Sequence, residues 1–137
     1  GEPVAYLTNF KEFWKQKYFV NNSVLIPRPD SEILIEETMK IYDKGKKIKV
    51  LDIGTGSGCL LLSILKEREN FLGVGVDISK KPINNKCFNA KLQQLKNRVK
   101  FYNSDIDKFF NGKYDLILSN PPYIALEPMA LVLFILS

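Results

Sequence analysis

Histidine is absent from all 137 residues of the chain, and that absence excludes more than any residue present. A mechanism that needs an imidazole base, a Ser-His pair or a His-ligated metal has no group to run on. Cysteine is scarce: Cys59 and Cys87 stand far apart, with no CxxC spacing, so neither a zinc site nor a disulfide framework is expected. No signal-peptide pattern opens the chain, and a reducing, cytoplasmic setting is the expectation. Long apolar runs are missing too. The longest, MALVLFIL over 129–136, falls well short of the roughly 20 residues that cross a bilayer, and no Lys or Arg follows Lys113 to flank it. It reads as a packing segment or an abnormal end.

What is present is ordinary globular material of single-domain length, 45% hydrophobic and 26% charged. The formal charge of +5 comes from scattered lysines, among them Lys44, Lys46, Lys47, Lys49, Lys80, Lys81, Lys86, Lys91, Lys96 and Lys100. They fit a solvated face, or a weak attraction to RNA or the ribosome. The opening 2–20 is rich in aromatics and carries turn-forming Asn9, which suggests an extended, hairpin-like segment. Pro27 and Pro29 forbid helix, and Asp30 or Ser31 can cap a new one over 31–42.

From there strands and helices alternate. IKVLDI over 48–53 is a β-branched run suited to a buried parallel strand, followed by helix at 60–66, strand at 71–76, an amphipathic helix at 81–97, and strands at 99–102 and 114–119. That order predicts an α/β fold with a doubly wound, mostly parallel sheet. Three parts are expected: a hairpin-like segment at 1–30, a partial Rossmann-like core at 31–126 and an apolar tail at 127–137.

The first strand runs into Asp52, Ile53, Gly54, Thr55, Gly56, Ser57 and Gly58, a DxGxGxG turn placed where open α/β sheets bind ligands. A dinucleotide fingerprint would want glycine at 59, where Cys59 stands. The turn therefore favours a nucleoside without phosphates, such as S-adenosylmethionine, over a pyrophosphate. Asp77, about 20 residues further on at a strand end, stands where a carboxylate accepts hydrogen bonds from ribose hydroxyls. Asp105, next to Ile106, is either a third ligand contact or a helix N-cap. The fourth strand ends in Asn120, Pro121, Pro122 and Tyr123. Two prolines stiffen that loop, and the Asn120 side-chain oxygen with the Pro121 carbonyl could hold a planar NH₂ group while Tyr123 stacks on it. Fixing both hydrogens of such a nitrogen directs its lone pair at an electrophilic methyl without a histidine base.

Together these residues resemble class I, Rossmann-like S-adenosylmethionine-dependent methyltransferases, and NPPY resembles the amino-methyltransferases among them. EPVAYLT over 2–8, Glu12-Phe13-Trp14 and IPRPDSE over 26–32 resemble the HemK/PrmC family of release factor glutamine methyltransferases, from Glu2 to about Ile124. The resemblance implies cofactor contacts at 54–58, Asp77, Ile106 and Asn120, with Ile106 an apolar contact, and methyl transfer to the glutamine amide of the GGQ motif in release factors. It also implies an N-terminal helical domain and three later strands that are not found around this core, so a truncated member is expected. The alternatives are a DNA or RNA amino-methyltransferase, and an inactive fragment that binds a cofactor or a partner chain.

Overall fold

The computed structural model describes residues 10–19, 31–77, 83–103, 114–119 and 132–135. β1 (Phe10–Phe13) and β2 (Gln16–Phe19) form an antiparallel hairpin, Phe13 opposite Gln16. The two residues between them, Trp14 and Lys15, both take positive φ, 47° and 68°. That pattern belongs to the type I′ turn, whose twist matches its flanking strands. The hairpin is thus present, turning at Trp14 and Lys15; Asn9 lies outside the described residues. Tyr18 and Phe13 are buried beneath it, ring to ring at 6.4 Å, in the main core.

α1 (Ser31–Ile41) has Glu32 in its first turn and Lys40 in its last, matching the helix dipole. It buries Leu34, Ile35 and Thr38. Gly45, at φ 89°, turns the chain into β3 (Ile48–Ile53). α2 (Cys59–Glu67) is buried from Cys59 through Leu65, as befits a helix enclosed on all sides. β4 (Phe71–Asp77), α3 (Ile83–Leu92), β5 (Val99–Asn103) and β6 (Leu116–Ser119) follow.

α3 stops five residues before the expected end at 97. Gln94 enters the left-handed region at φ 61°, the amide of Leu95 reaches back to the Ala90 carbonyl (2.8 Å) and that of Gln94 to Lys91 (3.1 Å). This is a Schellman end with glutamine where glycine is usual. Arg98, just beyond, donates to the carbonyls of Leu65, Arg68, Glu69 and Phe71, satisfying the carbonyls at the end of α2 and the loop that follows it.

The sheet order is β5-β4-β3-β6-β7, the first four parallel. β7 (Val132–Ile135) lies antiparallel on β6, with Ser119 opposite Val132. Part of the apolar tail is therefore a strand. Ile48 and Val50 face the helices in the main core, while Leu51, Val74, Val76, Tyr114 and Ile117 form a second cluster. Among the described residues no helix is long and apolar enough to cross a membrane.

Candidate functional site

Because β3, β4, β5 and β6 are parallel, their carboxyl ends share one edge of the sheet. The chain winds outward from β3 to β4 and β5, then returns to β6 on the other side of β3. The reversal between β3 and β6 is the switch point at which open α/β sheets form a crevice. β3 delivers the glycine turn to that point.

Gly54, Gly56 and Gly58 have φ of 73°, 56° and 84°, values that any Cβ would strain. The amides of Gly54 and Thr55 donate to the Val76 carbonyl at 2.8 and 3.1 Å, tying the turn to the end of β4. The Gly56 amide donates to Asp77 Oδ2 at 3.1 Å. Two features separated in sequence, the glycine turn and the acidic strand end, are therefore joined by a hydrogen bond. Gly75 makes room for this junction. A Cβ there would stand 2.7 Å from the Phe101 ring and 2.8 Å from Thr55 Oγ1.

Below the turn, Asp52 is fully buried, and its Oδ2 accepts from Thr55 Oγ1 at 2.8 Å. Burial pushes its carboxyl up to about 7; the Thr55 hydrogen bond and the Lys86 charge oppose this, and the Asp77 charge adds to it. Lys86 is fully buried as well, although its spacing read as one of many solvent-facing lysines. Its pKa is lowered by burial and held up by Asp77 and Asp52. Asp52 Oδ1 and Lys86 Nζ are the buried side-chain polar atoms without a hydrogen-bond partner among the described residues. Cys59, at the start of α2, is a free, buried thiol pushed up to about 12 by burial, hence inert.

The inward face of α3 and the residue just past its end are polar, with Lys86, Asn89 and Gln93 all buried, and sequence reasoning missed it. Asn89 Oδ1 accepts from the Phe19 amide at 2.6 Å, while its Nδ2 donates to the carbonyls of Phe19 and Ser57, both at 3.0 Å. Gln93 Nε2 donates to the Lys17 carbonyl at 2.6 Å. Two further bonds fix the hairpin to α2: Trp14 Nε1 donates to Glu67 at 2.8 Å, and the Tyr18 and Ser63 hydroxyls pair at 2.8 Å. The i, i+3, i+7 spacing of these polar residues was the available signal, but it describes a solvent face equally well.

The remaining expected site residues, Asp105, Ile106, Asn120, Pro121, Pro122 and Tyr123, lie outside the described residues. β5 ends at Asn103, two positions before Asp105, and β6 ends at Ser119, one before Asn120.

Residues 44–133 match a family described as a methyltransferase domain. A release factor glutamine methyltransferase of Buchnera aphidicola subsp. Baizongia pistaciae is 41% identical over 129 residues, which are 94% of this chain and 46% of that protein. One of Bacillus subtilis is 37% identical over 137 residues, covering 95% and 47%. The chain thus spans less than half the length of these two relatives. An RNA methyltransferase of Salinibacter ruber, solved with S-adenosyl-L-homocysteine, shares the fold at a TM-score of 0.56 and 15% identity, covering 69% of this chain and 76% of that one.

Proposed function

Since the chain belongs to the methyltransferase domain family, we propose that it carries the S-adenosylmethionine site and substrate loop of a release factor glutamine methyltransferase, and that it methylates the side-chain amide nitrogen of the GGQ glutamine. The observation that carries this reading is the Asp77 carboxylate hydrogen-bonded to Gly56 within a three-glycine turn at the sheet's switch point. The residues present fit a nucleoside cofactor. Glycines at 54, 56 and 58 keep backbone uncovered for close approach, Asp77 offers acceptors for a ribose diol, and the orphaned Asp52 Oδ1 offers one more. When bound, S-adenosylmethionine supplies an electrophilic methyl group. Asp105 and Ile106 extend the cofactor wall from the segment that follows β5.

The chain's own residues bind and orient the amide. The Asn120 side-chain oxygen and the Pro121 carbonyl accept its two hydrogens, Pro122 stiffens the loop and Tyr123 stacks on the amide plane. That orientation, with no base, makes the nitrogen lone pair available. Release factors act on ribosomes, so the work falls in the cytoplasm, where the basic surface favours proximity to RNA. The relatives named for this activity support the substrate class.

The test titrates the 137-residue chain with S-adenosylhomocysteine and then offers it a GGQ-bearing release factor domain and, separately, nucleic acid. One-to-one binding and methylation of the GGQ glutamine alone are expected. Asn120→Ala should still bind S-adenosylhomocysteine, weakened by no more than about tenfold, and lose transfer by about a hundredfold or more. A folded chain without cofactor binding, or a variant with undiminished transfer, overturns the reading.

A further inference from the structure

We propose that Lys86 is a charge-selecting residue of the cofactor crevice: its buried ammonium beneath the glycine turn, within electrostatic reach of Asp52 and Asp77, disfavours the sulfonium form of the ligand and favours the neutral thioether left after methyl transfer. This rests on the reading of the crevice as an S-adenosylmethionine site.

Lys86 reaches Gly58 of the glycine turn from α3. Its Cβ lies 3.4 Å from where a Cβ on Gly58 would stand, and its Nζ lies 5.9 Å from the centroid of Phe101. That ring also lies against Gly75 at the base of the turn. The side chain is therefore wholly enclosed, and among the described residues its charge finds a ring face and two carboxylates but no hydrogen-bond acceptor. A residue needed only to fill this volume would be aliphatic, because a buried ion costs several kcal/mol of desolvation that a methyl group does not. At that cost the enclosed ammonium sets a field at the turn that an aliphatic side chain would not. Asp77, with whatever fraction of the raised Asp52 carboxyl is ionised, would by itself make the crevice negative and favour a sulfonium cation. Lys86 cancels part of that potential, and in a low-dielectric interior such a change is felt across several ångströms.

S-adenosylmethionine and S-adenosylhomocysteine differ by one methyl group and one positive charge. The ratio of their affinities therefore reads the potential at the sulfur. A change that merely loosens the fold weakens both ligands alike and leaves the ratio in place. Both ligands are titrated into the parent chain, Lys86→Met and Lys86→Arg. In Lys86→Met the ratio of Kd for S-adenosylmethionine to Kd for S-adenosylhomocysteine is expected to fall by about three- to tenfold; in Lys86→Arg it should hold. Should the Met variant fail to fold, Lys86→Gln carries the same comparison. An unchanged ratio in an uncharged variant that binds both ligands overturns this role while the cofactor reading stands. A folded parent that binds neither ligand overturns both.

Discussion

Asp52 holds its carboxyl in a place where ionisation is expensive. In the unfolded chain it titrates near 4, whereas burial in the fold pushes it up to about 7. Between those values the folded state binds the extra proton. The stability this contributes is complete below the unfolded value and is lost as pH rises through the folded one. The ligand-free chain should therefore melt at a lower temperature at pH 8 than at pH 5, and Asp52→Asn should flatten that slope. Thermal melts across this range check it, and identical slopes in both proteins would refute the assignment. At this scale the glycines and Asp77 were legible because each residue type has a narrow physical use: positive φ for Gly54, Gly56 and Gly58, and an acceptor at a strand end for Asp77. Lys86, Asn89 and Gln93 were not, because polar residues on one stripe of a helix read as solvent-facing. Their burial is decided elsewhere, for Asn89 and Gln93 by the hairpin that docks over them.

Among the elements, β3 and β4 could be placed closely from sequence, since β-branched runs bounded by glycine or by a turn leave little choice of boundary. Turns were harder. The end of α3 depends on Gln94 entering a left-handed conformation, which its residue type does not announce. The hairpin loop is similar: Trp14 and Lys15 both adopt positive φ, which costs an L-residue about 1 kcal/mol or more. Trp14 has a reason to stay, its hydrogen bond to Glu67. Lys15 is exposed, its ammonium 5.8 Å from the centroid of the Trp14 ring. Lys15→Gly should raise the unfolding free energy by up to about 0.5 kcal/mol, the relief of strain net of glycine's extra chain entropy and of the lost contact with the Trp14 ring. Urea denaturation measures it, and a loss of stability would show that the turn is not strained.

For the whole molecule, the alternation of strand and helix implied the parallel order around β3, and the sheet has it. The strand conformation and antiparallel direction of β7 were not legible, because an unbroken apolar run has no period from which to choose helix, strand or loop. Its place matters, since β7 covers the edge of β6 from Leu116 to Ser119. Removing residues 132–137 would bare that edge, and exposed edges pair with other chains. Sedimentation of the shortened chain should show stronger concentration-dependent self-association than the full chain; equal behaviour of the two would mean the edge of β6 is protected otherwise. One contact reaches across all these scales. Asn89 holds the backbone of Phe19 and of Ser57 at once. Opening of the hairpin and opening of the glycine turn are thereby linked through one side chain, so a ligand that quiets the turn should also slow hydrogen exchange in the hairpin, a strand pair it need never touch.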